Sequence, residues 1–178
     1  MPRIAETAYA EFVRPDLPVI PVEDFGPEQH EMIENTVIQA LRVLRRLGAP
    51  GSAPPVAFET VSTRRPDLRF FVSPGDDQLT VADAECALIG GVFEGTTSIL
   101  PKHQRRGIAA EIHLLADEMG WALFDPSGFS PGGRASREAA HREAVLAAVA
   151  EGRPVHPDNL ERYAALLPSP ADDHGFGP

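Results

Sequence analysis

A chain of 178 residues with a 43% hydrophobic share suits one domain, or one domain with an appendage, and excludes disorder throughout. A formal net charge of −10 and a pI near 5.0 argue against nucleic-acid binding by bulk charge, which needs a basic face strong enough to displace counterions. The single cysteine, Cys86, excludes a disulfide framework within the chain and a cysteine-rich zinc site, and its strand-like position reads as that of a small buried hydrophobe.

In chain order, residues 1–26 come first as an irregular arm. Pro15, Pro18 and Pro21 forbid a long helix there, so the arm is expected to cross the domain in extended form or to stay mobile. Residues 1–7 hold no apolar stretch of the signal-peptide kind, and no apolar run is long enough to span a membrane. A reducing cytoplasm is the expected location. Lys102 is the only lysine, and with the abundant Ala, Gly and Pro this points to a GC-rich coding sequence.

The first strong helix is expected over residues 27–47. Pro27 suits a first helical position, Glu28 and Glu31 suit the positive end of the dipole, and Arg42, Arg45 and Arg46 suit the negative end. Ile33, Val37, Ala40 with Leu41, Leu44 and Leu47 form its apolar stripe, and Gly48 supplies the stop. Residues 49–56 read as a loop. Residues 56–61, 69–72, 79–81 and 84–93 read as strands, with a hairpin-type break at 74–77 and a further β-branched run at 96–100. Together they predict a small, mostly antiparallel sheet.

A second helix is expected over 107–119, with Ile108, Ile112, Leu115 and Met119 buried, Glu111, Asp117 and Glu118 facing out, and His113 on the polar side. Residues 121–124 suggest a short strand. Ser130 can cap a third helix that reaches Glu151 before Gly152, with Glu138 and Arg142 paired at i, i+4. A short helix follows over 157–167. The last ten residues read as a disordered tail.

Residues 104–109, Gln-Arg-Arg-Gly-Ile-Ala, carry the clearest chemical signal. The first amides of a helix have no partners within it, and with the helix dipole they attract anions, phosphate above all. Small residues at Gly107 and Ala109 permit close approach of a pyrophosphate, while Lys102, His103, Arg105 and Arg106 add positive charge. The stretch from Ile99 to Ala109 resembles motif A of the GNAT superfamily, the acetyl-CoA-dependent N-acyltransferases. Its pattern is Arg or Gln, two residues, Gly, one residue, then Gly or Ala, and Gln104, Gly107 and Ala109 match every fixed position. The resemblance covers roughly residues 27–125. It implies an α+β fold of the GNAT kind, with a mostly antiparallel central sheet flanked by helices. It also implies acetyl-CoA or another acyl-CoA held by Gln104, Arg105, Arg106, Gly107, Ile108 and Ala109, with Ser98, Ile99 and Leu100 pairing with the pantetheine arm. The acceptor would be an amine, on a small molecule or a protein.

Acyl transfer from a thioester also needs a base and an acid. In the family a carboxylate serves as base, often through water, which points to Glu94 at the end of the strand region; His103 beside the motif is the second candidate. A tyrosine often serves as acid, but this chain offers Phe124 or Phe129 there. Its two tyrosines are Tyr9 and Tyr163, and Tyr163 sits in a terminal helix where packing is the simpler role. His30, His103, His113, His141, His156 and His174 show no metal-ligand spacing, so no metal site is expected.

After the motif helix the chain departs from the family pattern, because two helices replace the usual last strands. This segment resembles a helical module of uncharacterised phage and prophage proteins. Alanines at 135, 139, 140, 144, 147, 148 and 150 permit close helix packing, expected to cover a sheet face or edge or to receive a protein partner or second copy. The division predicted is an arm over 1–26, a GNAT-like core over 27–125, a helical segment over 126–168 and a tail over 169–178. The alternative to an active transferase is a GNAT-fold binding or structural module of a mobile element.

Overall fold

The computed structural model describes residues 3–47, 58–73, 78–121 and 128–167. The expected loop at 49–56, the break at 74–77, the short strand within 121–124 beyond Trp121, and the tail lie outside the described residues.

The fold is α+β. Five strands, β1 (Phe58–Thr60), β2 (Arg69–Ser73), β3 (Gln78–Ala82), β4 (Leu88–Phe93) and β5 (Thr96–Ile99), pair antiparallel in the order β1-β2-β3-β4-β5. Along β2 and β3, Phe70, Val72, Leu79 and Val81 point to one face, and Phe71, Thr80 and Ala82 to the other. Both faces are buried, so these strands read as near-continuous apolar runs rather than as alternation.

Helix α2 (Pro27–Leu47) covers the second face. The buried line of this helix is Thr36, Ala40 and Val43, while Leu47 of the expected stripe is exposed. The reason is the surface beneath it, where Thr80, Gly91, Ala82 and Ser98 are small. The helix sits down on its own small side chains, and Thr36 donates to Met32 O at 2.9 Å. Strand β4 begins at Leu88 rather than at 84. Asp83 Oδ1 accepts from the amides of Glu85 (3.0 Å) and Ala87 (2.8 Å), and this local turn competes successfully with strand pairing. Cys86 lies in that turn with φ +62 and is exposed, not buried; Arg69 Nη1 donates to its sulfur.

Helix α3 (Ile108–Glu118) covers the first face. Ile108, Ile112 and Leu115 meet Phe70, Val72, Leu79, Val81, Ile89 and Val92 in the main core. On its other side Ala110 and Leu114 meet Ala140 and Ala144 of α4 (Pro131–Ala150) and Ile4 of the arm. The C-terminal helices therefore cover α3 rather than a sheet face. Ser130 caps α4 by accepting from Gly133 N at 3.0 Å, and Gly152 ends it at φ +67. The short helix α5 (Pro157–Arg162) follows.

The arm is docked and partly helical, with α1 at Tyr9–Val13. Its carbonyls are captured by the C-terminal helices: Arg137 Nε donates to Phe12 O (2.7 Å) and Arg134 Nη2 to Leu17 O (2.6 Å). Asn159, fully buried, is the hub. Its Nδ2 donates to Ala5 O (3.1 Å) and Thr7 O (2.9 Å), and its Oδ1 accepts from Tyr9 N (3.2 Å). Arm and C-terminal segment thus form one layer against α3. Asn159→Ala would strand these three backbone groups, so we expect a loss of about 3 kcal/mol of unfolding free energy, at about 1 kcal/mol per lost bond. Urea denaturation of the two proteins measures it.

Candidate functional site

The candidate site is built where β5 passes into α3. Leu100 N donates to Ile89 O at 2.9 Å, the last ladder bond between β4 and β5. Antiparallel geometry then directs the N–H and C=O of Ile99 away from β4, to the outer side of the strand. Gln104 Nε2 donates to Ile99 O at 3.0 Å, tying the motif's first position back to the strand. Between them Pro101–His103 make one 3-10 turn.

The turn itself is shaped by two left-handed residues, Arg105 at φ +59 and Gly107 at φ +73. Glycine adopts that conformation without strain, and a Cβ at Gly107 would meet no heavy atom within 4 Å. The need for glycine here is conformational, and the space beside it is open. Gly107 is the N-cap of α3 and supplies no side-chain hydrogen bond to the helix amides. Gln104, Arg105, Arg106 and Gly107 are all exposed, as is Lys102. Arg106 Nη1 donates to His103 Nδ1 at 3.2 Å, which engages that ring nitrogen beside the turn.

Two contacts not anticipated from the sequence hold this turn. Arg65 Nη1 donates to Arg106 O at 2.8 Å, while Arg65 also makes paired bonds of 2.9 Å to both oxygens of Asp67. That hydrogen bond holds the Asp67 carboxyl below the usual carboxylate range. The loop carrying Arg65 is fastened to α3 by Glu111. This carboxylate was expected to face out; it is buried, because the β1–β2 loop folds over it. Ser62 Oγ donates to Glu111 Oε1 (2.5 Å), and Arg64 reaches both its oxygens at 2.9 Å. The pairing with Glu111, ahead of the opposing effect of burial, raises the Arg64 pKa further. The acid in the first turn of α3 is therefore neutralised, which leaves the field at the helix start positive. The only sequence signal for this support is a polar Ser-Thr-Arg-Arg-Pro-Asp loop, whose partner on α3 is nearly fifty residues away.

Glu94 and His103 lie at opposite ends of β5. Glu94 occupies the two-residue hairpin before the strand, with φ +45 followed by Gly95 at φ +78, and is exposed. His103 follows the strand. Five residues of extended chain from Glu94 to Ile99 span about 17 Å, so one reacting centre is not served by both. Tyr163 lies beyond α3 and donates to His141 Nδ1 at 3.0 Å. His113, expected on the polar side of α3, is buried against Phe12. Among the described residues no group of three His, Cys, Asp or Glu is placed to hold a metal ion. Among the described residues no helix is long and apolar enough to cross a membrane. No family model, curated protein or solved structure matches this chain.

Removing the Glu111 carboxylate leaves Ser62 and Arg64 without their shared acceptor. Because Arg64 is about one-third exposed, part of the lost attraction is recovered from water. We expect Glu111→Ala to cost about 2–3 kcal/mol, read by chemical denaturation.

Proposed function

We propose that this chain is an N-acyltransferase of the GNAT kind, binding acetyl-CoA or a related acyl-CoA with the pyrophosphate at residues 104–109. The observation that carries the reading is the opening of α3 at Gly107: a left-handed, open, uncapped helix start, reached from an edge strand through one turn and preceded by the exposed Lys102, Arg105 and Arg106. Amides of Ile108 and Ala109 would donate to phosphate oxygens, and the dipole of α3 would add to the attraction. The outward N–H of Ile99, whose carbonyl is held by Gln104, would guide the pantetheine arm along β5, with Ser98 and Leu100 on either side. An arm laid in that direction carries the thioester away from His103 and toward Glu94. Glu94 is then the better base for the acceptor amine, directly or through water, and His103 belongs with the phosphate end. The amine nitrogen attacks the thioester carbonyl, the C–N bond of the amide forms as the C–S bond breaks, the amine proton passes to Glu94, and the thiolate leaves and takes a proton from water to become CoA.

A second reading is a GNAT-fold binding module without turnover. The engagement of Tyr163 by His141 favours it.

Thermal shift with CoA and acetyl-CoA tests binding. Ligand at about one hundred times its dissociation constant should add about 2.7 kcal/mol of stability. Gly107→Glu should abolish that shift: it places a carboxylate at the phosphate position, while the open space and a conformational cost of about 1–2 kcal/mol leave the fold intact. Gly107→Ala pays the same backbone cost without the charge and should retain binding. An unchanged shift in Gly107→Glu would place the site elsewhere. Thiol release with a panel of amines, in wild type and Glu94→Gln, then separates the transferase from the silent module.

A further inference from the structure

Two histidines lie inside the layer formed by the arm and the C-terminal helices, and both touch the same ring. Phe12 of α1 stands edge-on to His113 of α3, with centroids 5.9 Å apart, and stacks on His141 of α4 at 5.8 Å. His141 is fully buried and its protonation state is legible from its partners. Thr7 O lies 3.3 Å from Nε2 and can only accept, so Nε2 carries the hydrogen; Nδ1 then accepts from the Tyr163 hydroxyl. His113 is buried, and its Nδ1 has no hydrogen-bond partner.

Among the described residues the surroundings offer neither ring a free anion. Phe12 and Arg137 face His113, with the Arg137 guanidinium 4.5 Å from the centroid of Phe12. His141 is faced by Tyr9, Phe12, Tyr163 and Arg162, whose guanidinium stacks on Tyr9 at 3.6 Å. The nearby carboxylates are engaged. Glu138 accepts from the Tyr9 hydroxyl, and Asp117, held above the usual carboxylate range chiefly by burial, accepts from Ile4 N.

We infer that His113 and His141 form an acid-sensitive latch: protonation in mildly acidic solution releases the N-terminal arm from the groove between α3 and α4 while the sheet stays folded. A charge on either ring would lie in a dry site beside arginines, and undocking the arm, which supplies Thr7 O and Phe12, returns both rings to water. Release uncovers the groove of Ala110, Leu114, Ala140 and Ala144 that Ile4 now fills.

The direction of the pH effect follows from burial. It holds His141 below its ordinary value and His113 at about 3 against 6.5, with Arg137 adding to the latter. The docked state binds fewer protons than the open one, so docking is fully stable above about pH 6.5 and weakens as pH falls below it. His113 alone then shifts the opening equilibrium by roughly 25-fold between pH 7 and pH 5.

Hydrogen exchange followed by mass spectrometry, with labelling times scaled for the intrinsic rate, tests this on the full chain. We expect protection over residues 4–14 to fall at least tenfold from pH 7 to pH 5, while residues 69–73 and 78–93 keep theirs. His113→Leu with His141→Gln should abolish the fall, because glutamine can keep both hydrogen bonds and leucine needs none. Should that pair fail to fold, His113→Leu alone should shrink the fall. Arm protection unchanged at pH 5 overturns the inference. So does parallel loss from the sheet, which would be global acid unfolding, and so does an equal fall in the variants.

Discussion

The structure depends on the burial of α3 along both its sides. Ile108, Ile112 and Leu115 close the sheet, and Ala110 and Leu114 receive the arm and α4. A helix with two apolar sides cannot rest on a sheet alone, since one side would remain in water. The arm and the C-terminal helices answer that need, which is why segments more than a hundred residues apart converge on Asn159, Arg137 and His141. The N-terminal end of the fixed helix, at Gly107, stays open.

That arrangement also decides the electrostatics. Glu111 lies in the first turn of α3, where a free carboxylate would satisfy the dipole and repel an incoming anion. Arg64 and Ser62 bind it instead, and the same loop sends Arg65 to the Arg106 carbonyl. A carbonyl turned toward the anion would also repel it, and Arg65 fixes the direction of this one. The loop between β1 and β2 therefore acts on the helix start twice, once by neutralising an acid and once by holding the turn.

What could be read from sequence was what is decided locally. The helices at 27–47, 108–118 and 131–150 announce themselves through periodicity, with Pro27, Ser130 and Gly152 at their ends, and the turn at Gly107 through its own residue types. Polar residues on a helix face were misread wherever a distant segment covers them. Glu111 looked solvated because the loop at 62–65 lies far away in sequence, and His113 because Phe12 does. Cys86 was misplaced for the opposite reason: Asp83 folds the chain into a turn within four residues, against an apparent strand run. The prolines of the arm exclude a long helix but leave open whether it crosses the domain or stays mobile, since the partners that capture its carbonyls come from the far end of the chain.

The same distinction separates binding from catalysis at the site. An anion-binding turn is a local object, made by a few consecutive residues with suitable backbone angles, so a short motif can specify it. A reacting centre is a convergence of side chains from several elements. Here β5 sets Glu94 and His103 at its two ends, and an extended strand holds its two ends apart. On the proposed reading, an acyl-CoA lying along β5 would meet both in succession, its phosphate near His103 and its acyl group near Glu94. The strand's length thus keeps two residues that look like rival bases in the sequence from serving one centre, and on the proposed reading Glu94 is the residue on which the distinction between a transferase and a silent binding module would turn.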